Sequence, residues 1–367
     1  MTVIDELVEK DRRLTAFLDE QRLDGILLCR QANFAWATGG ADNHVGIATD
    51  LGAAWLLCMA EGRKYLISDN IELGRLQDEE LRGVTHVSES FQWFEGNPIA
   101  AVEKLAAGKA IGADYPTGSY RVVDKEFARL RYSLTPAEIE RYRGVGVRVG
   151  EALEQTCAAA APGQREHELA AGLAQRLLEH GVTPVVLLVA ADERIARYRH
   201  PLPTDRPVEK CAMLVVCGRR WGLIVSATRL VHFGRPSADR IARHRAVAEV
   251  DATLIANTRP GRRVSDVFLQ GVAAYERTGY PEEWHHHHQG GPTGYAGRDY
   301  RATAKTTEEV RPNQAFAWNP SIAGTKSEDT VIARPTGPEI ISASPGFPML
   351  AVEIDGVRWA RPDLYVR

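Results

Sequence analysis

Two stretches decide the fold: "PGQREHELAAGLAQRLLEHG", residues 162–181, and "PGRRVSDVFLQGVAAYERTG", residues 260–279. Each opens on Pro-Gly, continues as a helical pattern and closes on a glycine at the same offset, Gly181 and Gly279. The helical patterns before them also correspond, with Glu151 and Glu249 in equivalent places. Strand-like runs follow both copies: "CAMLVVCGRRWGLIVSATRLVHFG" after the first, "QAFAWNPSIAGTKSEDTVIA" after the second. Two copies of helix–helix–strands predict pseudo-twofold packing, with a cleft where the sheet halves meet. The units span about 136–236 and 237–345.

Upstream, the chain reads as a separate α/β domain, residues 1–132, ahead of a second domain over 135–367. Leu7, Leu14, Phe17 and Leu18 mark one face of an amphipathic helix. "DGILLC" reads as a buried strand, and "AAWLLCMAEGRKYLIS" as a hairpin turning at Glu61-Gly62. The second domain opens with Thr135 as N-cap, Pro136 in the first turn and Glu138 completing a capping box.

A net charge of -3 provides no broad basic field, which excludes nucleic acid as an expected partner. No apolar run reaches membrane-spanning length, and the charged N-terminus is unlike a signal peptide. Five cysteines set mostly in apolar runs read as reduced thiols of a cytoplasmic protein.

The chemistry concentrates in "EEWHHHHQGGPTGYAGRDY", Glu282–Tyr300. As a strand, its side chains alternate, placing His286 and His288 on one face and His285 and His287 on the other. Only one pair can then face the cleft. His288 is taken as the cleft histidine and the others as packed or hydrogen-bonded.

The helix "LTPAEIERYR", the hairpin "GLIVSATRLVHFG", "HQGG" and "GTKSEDTVIARPTG" together resemble the pita-bread family of creatinase, prolidase, aminopeptidase P and methionine aminopeptidase. The resemblance covers essentially the whole chain. It implies an α/β (α+β) protein, with a creatinase-like N-terminal domain and a duplicated pita-bread domain. It also implies a homodimer acting on a small molecule or short peptide. The peptidase members hold two divalent metals with two aspartates, a histidine and two glutamates, because such cations need several carboxylates. Carried over one position at a time, those places fall on Val216, Ser226, His288, Asn319 and Glu328. Three carboxylates are missing, so no metal cofactor is expected. A residual donor set of His286, His288 and Glu328 is a minor alternative.

Creatinase lacks the metal aspartates too and relies on a histidine that matches His200 in "ARYRHPLPTDRPV". His200 is therefore the candidate acid/base, set against a histidine that merely caps a Pro-rich loop. Glu328 is a candidate proton partner or cation-binding group, weighed against an ion pair with Arg229 or Lys326. The resemblance gives Tyr295 the place of a histidine that stabilises a tetrahedral intermediate. Arg298 suits a substrate carboxylate, and Asn319, Ser226 and His286 complete the expected substrate-binding set. Three functions stay open: a metal-independent hydrolase of a C–N bond in a small amino-acid-like or dipeptide substrate, an Xaa-Pro peptidase with an altered metal shell, and a binding protein without turnover.

Overall fold

The computed structural model describes residues 3–344 and 346–367, so the expected unit limits at positions 1 and 345 lie outside the described residues. The chain divides into two compact units. The first runs up to Arg131, with the short pieces Thr135–Ala137 and Trp221–Leu223, and the second contains nearly all the rest.

In the first unit, α1 (Val3–Gln21) buries Leu7, Leu14, Phe17 and Leu18, the face expected from its periodicity. The strands are β1 (Gly25–Arg30), β2 (Leu51–Met59), β3 (Lys64–Asp69), β4 (Val87–Phe91), β5 (Ile111–Ala113) and β6 (Arg121–Val122). They form one mixed sheet in the order β4-β3-β2-β1-β5-β6. β2 and β3 are the expected hairpin, and Gly62 supplies the left-handed residue of its turn at φ 88°.

The second unit carries the duplication. Helix α2 (Pro136–Ala159) leads to α3 (Glu166–Leu178), and α4 (Ala238–Asn257) leads to α5 (Val264–Arg277). Each pair ends on its left-handed glycine, Gly181 at φ 66° and Gly279 at φ 88°. The correspondence extends to the loops. Gly163 N–H donates to Val208 O at 2.8 Å, and Gly261 N–H to Val310 O at 2.9 Å. Isolated bridges Arg165↔Pro207 and Arg263↔Glu309 follow at matching places.

One half-sheet contains β7 (Thr183–Ala191), β8 (Cys211–Arg220) and β9 (Leu223–His232), with β18 (Tyr365–Val366) beside β9. The other contains β10 (Gly290–Thr293), β11 (Gln314–Trp318), β14 (Asp329–Arg334) and β15 (Gly337–Ile340). Between β11 and β14 lies the hairpin β12 (Ser321–Ile322) and β13 (Thr325–Lys326), and β16 (Met349–Ile354) pairs with β17 (Val357–Pro362). The halves meet where Thr228 N–H donates to Glu328 O at 3.1 Å and Ser226 N–H donates to Thr330 Oγ1 at 2.8 Å. β9 and β11 are buried along their whole length, and the polar Ser226, Thr228 and Arg229 of β9 are buried with hydrogen-bond partners.

Beneath this junction runs a buried ion network. Arg361 donates to Asp251 at 2.5 Å and to Asp329 at 2.6 Å, and Arg229 donates to Asp329 at 3.0 Å. None of the five cysteines is disulfide-bonded, and burial raises the Cys58 and Cys211 thiols to about 12, where they are protonated and inert.

Candidate active site: a three-histidine cluster beside a caged carboxylate

His200 follows a short helical turn, Arg194–Arg197, in the loop between β7 and β8. The fully buried Glu166 braces that loop from both sides. It accepts from Ala191 N–H at 2.7 Å, from Thr204 N–H at 2.9 Å and from Thr204 Oγ1 at 2.7 Å, and it also pairs with Arg194. Next to His200, Arg199 forms an ion pair with Glu283 at 2.6 Å, and Glu283 Oε2 also accepts Ala323 N–H at 3.1 Å.

Glu283 lies in the histidine run, where the structure corrects the strand expectation. Glu283–His286 is a 3₁₀ turn, and extended backbone begins only at His287. Trp284 packs edge-on against Phe268 with ring centroids 5.8 Å apart, while His285 and His286 are exposed. His286 therefore does not share a face with His288. The buried member is His287. Its Nε2 lies 3.2 Å from His200 Nε2 and its Nδ1 lies 3.2 Å from Ser321 Oγ. His288 completes the group, with its ring centroid 4.7 Å from that of His287. One ligand nitrogen from each of His200, His287 and His288 lies within 4.8 Å of the others, which corrects the donor set of His286, His288 and Glu328.

Burial, with the cations around these rings, favours their neutral form. Burial, followed by the nearby Lys326 and neighbouring imidazoles, lowers His287 from 6.5 to about 2. Burial with Arg298, Arg301 and Lys326 lowers His288 from 6.5 to about 4. Burial and Lys326 also lower His200, against a smaller opposing pull from Glu328.

Glu328 is caged. Its Oε2 accepts from Thr228 Oγ1 at 2.6 Å and pairs with Lys326 Nζ at 2.7 Å, while Arg298 Nη2 reaches Oε1 at 3.5 Å. Burial pushes this carboxyl up, but Lys326 and Arg298 outweigh it and hold it below the usual carboxylate range. The salt bridge from Lys326 is thus present, whereas Arg229 pairs with Asp329 instead. Arg298 Nη1 also lies 3.4 Å from Ser226 Oγ, so one guanidinium spans the Ser226 and Glu328 positions.

Ser226 Oγ touches Cys217 Sγ at 3.1 Å. The residue sharing its face is therefore Cys217 and not Val216, because neighbouring strand residues point to opposite sides. Asn319 is buried with Oδ1 lacking a hydrogen-bond partner among the described residues. Tyr295 is buried, and its hydroxyl donates to Glu138 Oε1 at 2.7 Å.

A dinuclear metal centre does not fit this arrangement. The places that the resemblance assigns to its acidic ligands hold a thiol, a hydroxyl and an amide, and the remaining carboxylate is already shared by two internal cations. Arg298 and Lys326 supply the positive charge that two dications would otherwise bring. Sequence reasoning missed His287, Ser321, Arg199, Glu166 and Cys217, whereas the Lys326 pairing of Glu328 was among its alternatives. Among them only His287 carried a local signal, the histidine run itself.

Residues 140–357 match the model for metallopeptidase family M24, and residues 12–145 match that for the creatinase/prolidase N-terminal domain. The chain belongs to metallopeptidase family M24. Its fold is similar to that of an Xaa-Pro dipeptidase from Bacillus anthracis, at 20% identity and a TM-score of 0.79 over 98% of this chain and 100% of that one. It is also similar to the prolidase from Pyrococcus horikoshii OT3, at 17% identity and a TM-score of 0.78 over 92% of this chain and 98% of that one. A third similar structure is the N-terminal domain of the FACT complex subunit SPT16 from Cicer arietinum (chickpea), at 13% identity and a TM-score of 0.70 over 92% of this chain and 97% of that one. No curated protein matches the chain. Among the described residues, no helix is long and apolar enough to cross a membrane.

Proposed function

We propose that the protein hydrolyses a C–N bond in a small amino-acid-like or dipeptide substrate, with His200 as the acid/base and without a dinuclear metal centre. The observation that carries this reading is the contact of His200 Nε2 with His287 Nε2 at 3.2 Å, in a cluster whose imidazoles are kept neutral. Two neutral imidazoles at that separation share one proton. If His287 keeps its proton on Nδ1, toward Ser321 Oγ, its Nε2 accepts from His200 Nε2–H. His200 Nδ1 then has a free lone pair and can take a proton from an attacking water. The resulting imidazolium donates to His287, and His200 later returns the proton to the leaving nitrogen.

His287 and Ser321 are positioning residues in this scheme, since they fix the tautomer of His200. Lys326, Arg298 and Arg301 face the cluster, against the single carboxylate of Glu328. That imbalance favours a substrate carrying a carboxylate. Arg298 and Asn319 each retain a buried polar atom without a partner among the described residues, Nε and Oδ1, which a ligand could satisfy.

A second reading, binding without turnover, is favoured by the caging of Glu328, which leaves that residue no proton role. One experiment separates the two. Metal-stripped protein is assayed on Xaa-Pro dipeptides and on small guanidino and ureido acids. Turnover that survives stripping and disappears in His200→Ala supports the hydrolase; binding with no turnover supports the second reading. Turnover that appears only on adding metal overturns the proton-only scheme.

A further inference from the structure

The same three histidines also have the geometry of a metal site unlike the dinuclear one. Two imidazole nitrogens bound to one tetrahedral zinc ion at about 2.0–2.1 Å lie about 3.3–3.4 Å apart. His200 Nε2 and His287 Nε2 are 3.2 Å apart, so this pair already stands at coordination spacing. Only His288 has to swing inward, from within 4.8 Å. Its Nδ1 is buried with no hydrogen-bond partner among the described residues, so no bond holds that nitrogen back. Ser321 Oγ, 3.2 Å from His287 Nδ1, supplies the outer bond that directs the Nε2 lone pair inward.

We infer that His200, His287 and His288 form a site for a single borderline transition-metal dication, such as zinc, and that its occupation blocks hydrolysis. Three neutral nitrogens suit zinc, cobalt, nickel or copper rather than magnesium or calcium. The binding half of this inference stands alone. The inhibitory half rests on the reading of His200 as base, because an imidazole that ligates an ion cannot accept a proton.

The surrounding cations do not forbid the ion. Lys326 is paired with Glu328 at 2.7 Å and Arg199 with Glu283 at 2.6 Å, while Arg298 shares Glu328 at 3.5 Å. With Arg301, they select an anionic fourth ligand: hydroxide, chloride or a carboxylate.

The test titrates metal-stripped full-length protein with Zn²⁺ by calorimetry and with Co²⁺ by visible absorption. Exposed His285 and His286 could capture metal as a histidine tag does, so the double variant His285→Ala, His286→Ala is compared with His200→Ala. The expected result is one Zn²⁺ per chain and a four-coordinate Co²⁺ spectrum. Both should persist in the double variant, and affinity should fall at least about tenfold in His200→Ala. Added Zn²⁺ should abolish turnover. Binding that follows His285 and His286, or that ignores His200→Ala, overturns the site. Stoichiometric binding with raised turnover keeps the site and overturns both the inhibition and the proton-only reading.

Discussion

Arg199 and Glu283 are joined across 84 positions of chain by a 2.6 Å ion pair whose side chains are each 17% exposed. The bond ties the loop bearing His200 to the turn that presents His287 and His288. Glu283 also accepts the Ala323 N–H at 3.1 Å, which anchors the hairpin carrying Ser321 and Lys326. Three segments of the site therefore converge on one carboxylate. Glu283→Ala leaves a mostly buried guanidinium and an amide without their partner, at about 1–3 kcal/mol. The expected outcome is a lower urea midpoint, together with a shift of the His200 and His287 imidazole NMR signals. A lower midpoint with unmoved imidazole signals would show that the pair serves stability alone.

His200→Ala removes the most exposed imidazole of the cluster. Loss of a general acid/base is expected to reduce kcat about 10²- to 10⁴-fold, with little change in the unfolding transition. His287→Ala should lower kcat less and should also lower stability, because it empties a buried position. Steady-state kinetics on any accepted substrate, run beside urea titrations of both variants, distinguishes the proton carrier from its support.

Much of the fold was legible because backbone chemistry repeats locally. Pro-Gly openings and left-handed closing glycines punctuate both halves, and Gly163 and Gly261 adopt φ values of 87° and 86°. The site was legible only in part. His200, Ser226, Asn319 and Glu328 sit in motifs that survive as words in the sequence. The Arg199–Glu283 pair beside His200 does not, because it joins residues 84 positions apart only through the fold. A single misjudged conformation displaced the rest: a 3₁₀ turn in place of a strand at 283–286 brings His287 inward and leaves His286 outside. The same parity error, one residue along a strand, exchanged Val216 for Cys217.

Gly290 and Gly291 are where two backbones approach one another. A Cβ at Gly290 would lie 2.1 Å from Ala317 O, and one at Gly291 would lie 2.4 Å from Tyr300 O. Both glycines also hold positive φ, at 104° and 152°. Neither neighbour is a side chain that can turn away. Gly290→Ala and Gly291→Ala should each cost more than about 3 kcal/mol, the range of overpacking added to backbone strain, and should yield little folded protein. Gly294→Ala has no such neighbour, although its φ is 148°. Comparing soluble yield and thermal midpoints of the three variants separates steric contact from strain.

Removing one charge from the buried network should be more damaging than most core truncations. Arg361 and Asp251 are wholly buried, and Asp329 depends on Arg361 and Arg229 together. Arg361→Ala strands Asp251 and leaves Asp329 to Arg229 alone, an expected loss of about 3–5 kcal/mol by urea denaturation. Asp251→Asn combined with Arg361→Met, which removes the charge on both sides of the Arg361–Asp251 contact, should recover part of that loss. A double variant no better than Arg361→Ala would show that shape and not charge is what the network supplies.

The neutral histidines also set how stability changes with pH. In the folded protein His287 and His288 are lowered to about 2 and about 4, and His200, His232 and His244 are lowered as well. An unfolded chain takes up protons on these rings near pH 6.5, while the folded chain refuses them. Below pH 6.5 the unfolded state therefore binds more protons, and stability falls as the solution is acidified. The buried His287 contributes a slope of up to about 1.4 kcal/mol per pH unit until its folded-state value is reached. Asp251 and Asp114, raised by burial, act in the opposite sense. His287→Gln isolates one ring from that background: between pH 6.5 and 5 the metal-free variant should lose stability less steeply than the parent, by about one proton's slope. Parallel urea-derived curves for the two proteins would mean that His287 is protonated alike in both states, and the neutral cluster on which the acid/base chemistry depends would not exist.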